Sequence, residues 1–145
     1  MNISAIAEDD LKSISQLYVS VFSNPPWNEF WQYDWAHERL SWIYRSQVFI
    51  GFMAKDNNKT IGAILGDGVP FKGKQGYRIV EFFVDTRYQN KGIGNKLLLR
   101  LELELRQHNY DFISLLTYKD TAIEAWYRKR NYQRDNKLVL LRQEI

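Results

Sequence analysis

Residues 84–98 read VDTRYQNKGIGNKLL, and this stretch decides the fold. It continues Tyr77–Asp85, where apolar residues form the nearly continuous run that is typical of a strand inside a sheet. A long helix is predicted from Gly92 to about His108, because apolar residues recur there at every fourth position. A buried strand, a tight loop and a long helix therefore follow one another along the chain.

The loop before this helix has the features of a phosphate site. Free backbone N–H groups point outward at a helix start, where the helix dipole is also positive. Gly92 and Gly94 keep side chains away from a bound pyrophosphate, and Lys91 and Lys96 add positive charge. The alternative interpretation is a simple tight turn with solvated lysines. The glycine spacing excludes a Walker A loop and argues against a Rossmann dinucleotide site.

The patterns on either side of this unit predict an α/β fold around a mixed sheet. The expected order is a strand, two helices, three strands, a helix, a strand, a helix and one or two final strands, within a single domain that spans residues 1–145. Asp120 is the expected N-cap of the last helix, and the glycine-rich residues 66–76 are expected to form a loop. Helices are predicted at 11–22, 33–45, 92–108 and 120–129, and strands at 3–6, 48–54, 60–65, 77–85, 112–117 and 137–141.

Composition and charge exclude several kinds of site. The chain has no Cys and only two His, so we expect no metal centre and no thiol nucleophile. No apolar run approaches the length of a membrane span, and no secretory signal is visible, so we expect a cytoplasmic protein without a membrane partner. Residues 1–50 carry a net charge of −3 and residues 51–145 a net charge of +6. This division argues against a pure nucleic-acid binder and suggests two partners of opposite charge.

Two motifs resemble those of the GNAT superfamily of acetyl-CoA-dependent N-acyltransferases. Residues 89–94, QNKGIG, are similar to its Gln/Arg-x-x-Gly-x-Gly/Ala signature, and residues 125–132, AWYRKRNY, are similar to its Phe/Leu-Tyr-x-x-x-Gly-Phe segment. Asn131 replaces the usual Gly of the second motif, a mild change because Asn tolerates the left-handed conformation. The element order resembles the GNAT fold over essentially the whole chain, and residues 22–40 resemble small bacterial aminoglycoside and small-amine acetyltransferases.

The resemblance implies acetyl-CoA as the co-substrate. In that family the strand that ends at Val84 splays from its neighbour and binds pantetheine through its backbone, here that of Phe82, Phe83 and Val84. A backbone N–H near Val84 would then stabilise the oxyanion. The other residues that the resemblance assigns to the coenzyme are Gln89, Asn90, Lys91, Gly92, Ile93, Gly94, Asn95, Lys96 and Asp120.

Two residues are candidates for proton transfer. The resemblance places Tyr127 as the general acid for the departing thiolate, and a phenol with a reference pKa of about 10 is protonated at neutral pH. The alternative is a core tyrosine with its hydroxyl at a rim. Glu81 is the candidate base, because burying an unpaired carboxylate in an apolar strand is costly. The alternatives for Glu81 are an ion pair with Arg78 or another base, or an outward position at the strand edge.

The Trp-rich segment falls where the family builds its acceptor site. Trp27, Glu29 and Trp31 are the predicted substrate contacts, since aromatic rings and a carboxylate suit an organic cation. Glu29 and Asp85 are also weaker candidates for the base. Trp35 and Trp42 lie seven residues apart on one predicted helix, and we expect both to belong to the core.

Together these features predict an N-acetyltransferase that moves an acetyl group to a primary amine of a small, cationic molecule in a ternary complex. One alternative is an acetyl-CoA-binding GNAT protein that regulates or that acetylates proteins. A weaker alternative is a nucleic-acid-binding module that would use the basic residues of the last third, which are Arg128, Lys129, Arg130, Arg134 and Lys137. The sequence leaves the oligomeric state open, and a homodimer is possible.

Overall fold

A five-stranded sheet with three helices forms the first part of the protein. The computed structural model describes residues 1–145 as two units, 1–115 and 116–145. The first unit contains β1 (Asn2–Ala5), α1 (Leu11–Phe22), α2 (Tyr33–Tyr44), β2 (Phe49–Asp56), β3 (Lys59–Phe71), β4 (Lys74–Val84), α3 (Ile93–Gln107) and β5 (Phe112–Leu115). The second contains α4 (Ala122–Arg128). The predicted order is confirmed from β1 to α4, whereas the single domain stays a prediction.

The strands lie in the order β1-β2-β3-β4-β5, and all neighbours are antiparallel except the parallel pair β4 and β5. The predicted mixed sheet is therefore confirmed. Its two faces are both covered by helices. Met53 belongs to the core cluster under α1 and α2, whereas the preceding Phe52 has the Arg100 guanidinium of α3 stacked 4.4 Å from its ring centre. Cover on both faces explains the continuous apolar runs in the central strands.

The hairpin of β3 and β4 is longer than predicted, and the expected loop at 66–76 is wrong. β3 continues to Phe71, and only Lys72 and Gly73 form the turn, with φ of +51° and +75°. Gly66 lies inside β3, where an added Cβ would approach the backbone oxygen of Arg78 to 1.9 Å. Of the glycines in this stretch, only Gly73 lies in the turn, and Gly66 serves close backbone packing inside a strand.

A β-bulge interrupts β4 at Val80. Leu65 pairs with Glu81, but the next residue, Gly66, pairs with Ile79, so Val80 is an extra residue on β4. Val80 packs against the core cluster of α1 and α2, and Glu81 contacts side chains from the same two helices. The bulge therefore turns two consecutive side chains toward one face of the sheet.

The same region of β4 lacks a partner on its other edge. The parallel pairing with β5 runs only from Gly76 to Ile79, and β5 ends at Leu115. Residues 80–84 therefore have no β5 partner, as the family resemblance implies.

Two predictions for residues 116–145 are wrong. Lys137–Leu141 is not a strand, and its four apolar side chains are 72–85% exposed. The physical reason is that this unit holds no other strand with which the segment could pair. The N-cap of α4 is Thr121 rather than Asp120, because the Thr121 hydroxyl accepts the Glu124 N–H at 3.2 Å.

None of the helices combines the length and the apolar character that crossing a lipid bilayer would require.

Gly66→Ala tests the close backbone packing beside the bulge. The new Cβ would clash with the Arg78 carbonyl, so we expect the free energy of unfolding to fall by about 1–3 kcal/mol. Urea unfolding followed by circular dichroism measures this change. The control is Val69→Ala on the same strand at a partly exposed position, and equal losses in the two variants would contradict the packing argument.

Candidate functional site

The loop between β4 and α3 is held by its own side chains. Asp85 accepts the backbone N–H of Arg87 at 2.9 Å and forms an ion pair with its guanidinium at 2.9 Å. Gln89 Nε2 donates to the Val84 carbonyl oxygen at 3.0 Å, which ties the loop back to the strand. The hydrogen bonds from Arg87 lower the pKa of Asp85. Asp85 therefore has a local structural role, which weakens it as a candidate base.

The start of α3 is open to an anion. Gly92 is the residue before the helix, with φ of +81°, and no side chain caps it. The Lys96 N–H donates to the Gly92 carbonyl oxygen at 3.1 Å. A Cβ on Gly92 would meet no atom within 4 Å, so the space beside this residue is open. With Lys91 and Lys96 exposed and no acid in the first turn, this end of α3 suits a phosphate.

The predicted coenzyme residues on β4 and in the loop after it all lie in the first unit, where the strand, the loop and α3 follow one another. Phe83 is buried, and its ring lies 5.3 Å from that of Tyr18 and 5.9 Å from that of Phe22. Its side chain therefore serves packing, and so does that of the buried Ile93. Phe82 and Val84 are half-buried.

Glu81 is a nearly buried carboxylate with two hydrogen-bond donors. Its Oε1 accepts Arg39 Nε at 2.6 Å and the Tyr18 hydroxyl at 3.1 Å, and its side chain is 10% exposed. An ion pair is therefore present, but its partner is Arg39 on α2, whereas Arg78 pairs with Asp67 at 3.0 Å. Burial raises the pKa of Glu81, and the charge of Arg39 opposes this rise.

The predicted acceptor residues lie in the same cluster. Trp31 Nε1 donates to Glu29 Oε1 at 2.9 Å, and the Trp31 ring stands edge-on to Tyr18 at 4.8 Å. Trp27 lies 5.4 Å from the Phe22 ring and packs against the core. The structure therefore joins Glu29 and Trp31 to Glu81 through Tyr18.

Sequence reasoning missed both donors to Glu81. Tyr18 occupies a position on the apolar face of α1, where it is indistinguishable from a packing residue. Arg39 lies 42 positions before Glu81, and no sequence pattern links the two. The only signal was the cost of leaving Glu81 without a partner.

The prediction that Trp35 and Trp42 belong to the core is wrong, since their exposed fractions are 46% and 64%. The buried face of α2 is formed by Ala36, Leu40 and Ile43. Each Trp lies one position before a buried residue, and one position turns a side chain by about 100° around a helix. A surface groove of about 810 Å³ follows this side of α2, lined by Trp31, Trp35, His37, Glu38, Arg39, Ser41, Trp42, Arg45 and Ser46.

In the second unit, Tyr127 is buried between aromatic rings. Its ring lies 5.2 Å from that of Trp126 and 5.5 Å from that of Tyr132. Burial raises the pKa of Tyr127 well above its usual value, so the hydroxyl stays protonated at neutral pH. Asn131 has φ of +70°, which confirms the predicted left-handed residue after α4.

The other predicted residue of this unit, Asp120, takes part in an ion-pair cluster. Arg134 Nη2 donates to Asp120 Oδ1 at 2.7 Å and to Glu124 Oε1 at 2.6 Å. The hydrogen bonds from Arg134 lower the pKa of Glu124 to about 2. Arg130 stacks over Trp126 at 3.7 Å. Two members of the basic run therefore hold the unit together, which weakens the case for a nucleic-acid surface.

No group of three or more His, Asp or Glu side chains is placed to hold a metal ion.

Comparisons with known proteins agree with this geometry. Residues 11–132 match the model of the Acetyltransferase (GNAT) family. The uncharacterized protein YxbD of Bacillus subtilis (strain 168) is 30% identical over 115 residues, which cover 76% of this chain and 69% of YxbD.

Solved structures share the fold. A possible acetyltransferase from Clostridium difficile 630 superposes with a TM-score of 0.84 at 16% identity, over 99% of this chain and 97% of that one. The aminoglycoside acetyltransferase meta-AAC0020, from an uncultured soil metagenomic sample, superposes with a TM-score of 0.76 at 22% identity, over 99% and 95% of the two chains. The matched family model covers most of the sequence, from α1 through α4, and on this basis the chain belongs to the GNAT family of acetyltransferases.

Proposed function

We propose that this protein transfers an acetyl group from acetyl-CoA to a primary amine of a small, cationic acceptor by direct transfer in a ternary complex. The observation that carries the proposal is the end of β4. There β4 extends beyond its pairing with β5 and runs into a helix start that no side chain caps, and the same strand bears the nearly buried carboxylate Glu81.

The residues at the start of α3 fit the phosphates of a coenzyme. The open space at Gly92 would admit a pyrophosphate against the first N–H groups of α3, and Lys91 and Lys96 would supply positive charge. Along residues 82–84, beyond the end of pairing with β5, the pantetheine arm would bind to the strand backbone as an added strand does. The coenzyme supplies the acetyl thioester, and a backbone N–H near Val84 is the proposed donor to its carbonyl oxygen.

Glu81 is the proposed base. An amine with a reference pKa near 10 arrives as an ammonium ion and must lose a proton before it attacks. A carboxylate whose pKa is raised by burial is a better proton acceptor than an ordinary surface glutamate. We propose that Glu81 takes this proton directly or through a water molecule.

Tyr127 is the proposed acid. The assignment rests on its position in the second family motif and on its protonation state, since burial raises its pKa. A protonated phenol can donate to a departing thiolate, which leaves as the thiol.

Trp27, Glu29 and Trp31 are the proposed acceptor contacts. All three side chains are half-buried, and Trp27 packs beside Phe22. Trp31 lies beside Tyr18, which contacts Glu81, and it donates a hydrogen bond to Glu29, so a cation held by Trp31 and Glu29 would be close to the base. Asp34 and Glu38 on α2 add negative charge to the same part of the chain. A solved relative in fold, meta-AAC0020, was crystallised in complex with sisomicin, which makes sisomicin a rational first acceptor to test.

Binding of acetyl-CoA and turnover are the first tests. We expect the coenzyme at 100 times its dissociation constant to stabilise the fold by about 2.7 kcal/mol in a thermal shift experiment. Release of free thiol should then depend on an amine from a panel of sisomicin, polyamines, amino acids and short peptides. Absence of any thermal shift would refute the proposal, and a shift without turnover would favour a regulatory acetyl-CoA-binding protein.

Gly92→Ala tests the phosphate site. The new methyl group would occupy the space in front of the helix start, so we expect acetyl-CoA affinity to fall about tenfold or more, or about 1.4 kcal/mol. Gly73→Ala is a matched control, because Gly73 also has a positive φ and open space but lies in the turn between β3 and β4. Titration calorimetry should find normal affinity in the control, and equal affinity in both variants would argue against the site.

Tyr127→Phe tests the general acid. Loss of the hydroxyl should lower kcat by about 10²-fold or more, with nearly unchanged acetyl-CoA affinity. Tyr132→Phe, which removes a hydroxyl from the adjacent ring, is the control and should keep normal turnover. An unchanged kcat in Tyr127→Phe would remove this residue from the mechanism.

A further inference from the structure

Two helices direct hydrogen-bond donors to the same oxygen of Glu81. Tyr18 on α1 and Arg39 on α2 both reach Oε1, at 3.1 Å and 2.6 Å. No side chain of the protein donates to Oε2. The carboxylate is therefore held asymmetrically, with one oxygen engaged and the other without a protein donor.

We propose that Arg39 and Tyr18 are positioning residues that occupy Oε1 of Glu81 and leave Oε2 as the oxygen that takes the proton from the amine. This inference rests on the proposed function of Glu81 as the base. In the step, the N–H bond of the ammonium group breaks and an O–H bond forms at Oε2. Glu81 becomes neutral, Arg39 keeps its charge, and the freed electron pair of the nitrogen is available for attack.

The location of Arg39 supports this role. Its side chain is 40% exposed and lines the groove along α2, while its Nε contacts the nearly buried Glu81. Arg39 therefore links a surface open to small molecules with the carboxylate. Glu81 pairs with Leu65 and lies two residues before Phe83, so regular alternation along this half of β4 directs it toward α1 and α2, and the bulge adds Val80 to the same face.

The other ion pair of this strand has a different character. Arg78 and Asp67 form two hydrogen bonds across neighbouring strands, at 3.2 Å and 3.0 Å, with the arginine 47% exposed. A pair of this kind contributes little beyond local stability. Arg78 is therefore a suitable control for the loss of an arginine near Glu81.

The charged and titratable groups that face Glu81 come from three segments. Arg39 on α2 and Tyr18 on α1 favour the ionised carboxylate, whereas Glu29, on the segment between them, disfavours it. Burial of Glu81 also disfavours the ionised form. Removing Arg39 therefore raises the pKa of Glu81, so that a higher pH is needed to produce the basic form.

The experiment measures the titration of Glu81 directly by NMR and indirectly through the pH dependence of kcat/KM. The Glu81 side-chain carboxyl carbon is titrated by ¹³C NMR in protein without coenzyme, and its signal is assigned by its loss in Glu81→Gln. The pH dependence of kcat/KM is measured by thiol release with the best amine of the panel. Both are recorded for wild type, Arg39→Gln, Arg39→Lys, Tyr18→Phe and Arg78→Gln, after circular dichroism confirms that each variant is folded.

In Arg39→Gln we expect the Glu81 midpoint and the acidic limb of the rate profile to move together to higher pH. At neutral pH kcat/KM should fall about tenfold and recover as the pH rises, a smaller loss than the roughly 10²–10⁴-fold that general acid–base catalysis contributes in full. Arg39→Lys should return the Glu81 midpoint toward that of wild type, because it restores the charge. Tyr18→Phe should also move the Glu81 midpoint and the acidic limb to higher pH. Arg78→Gln should leave the midpoint and the limb unchanged.

Three results would overturn the inference. The first is a Glu81 titration in Arg39→Gln that matches Arg78→Gln. The second is a shifted titration with an unshifted rate profile, which would remove Glu81 as the base while leaving acetyl transfer intact. The third is a fall in rate that does not recover at high pH, which would mark Arg39 as a substrate contact instead. Absence of turnover in wild type would refute the proposed function, and the NMR titration would still decide whether Arg39 and Tyr18 control Glu81.

Discussion

The face of β4 that packs against α1 and α2 is the constraint on which the candidate site depends. Glu81 lies opposite Leu65 and two residues before Phe83, both members of the core cluster, so it is directed toward the two helices. The β-bulge adds the neighbouring Val80 to the same face, whereas a regular strand would turn it to the other face. Gly66 permits the bulge, because β3 and β4 approach so closely there that no side chain fits. Pairing with β5 ends next to this point, at Ile79.

Burial and pairing give two acids of the same strand region different properties. Asp85 is paired with Arg87, two residues later in the chain, and this contact shapes the loop that leads to α3. Glu81 is paired with Arg39 and Tyr18 from two separate helices, so its ionisation depends on how α1 and α2 pack on the sheet. The Asp85–Arg87 contact stabilises only its own loop. The contacts of Glu81 come from two helices, so its pKa depends on the packing of those helices.

The uneven distribution of charge has more than one cause. Lys91 and Lys96 are exposed at the start of α3, which fits an anionic ligand, but Arg134 is engaged by Asp120 and Glu124 within the second unit. The positions of four Trp residues are the reverse of those expected from the sequence. Trp27 and Trp31 pack partly against the core, and Trp35 and Trp42 line an exposed groove. Neither charge nor aromatic content alone would have separated binding groups from structural ones.

The sequence by itself determined the features that depend on neighbours along the chain. Apolar periodicity placed α1 and α3, the apolar run placed β4, and the glycine motif at 89–94 indicated both the open helix start and the family. The tertiary structure decided the bulge at Val80, the pairing of Arg39 with Glu81, the exposed side of α2 and the absence of a strand at Lys137–Leu141. The physical reason is that periodicity and backbone preference act over a few residues. The Arg39–Glu81 ion pair, the bulge and a paired strand each require distant segments to meet, and which segments meet is settled by packing of the whole chain.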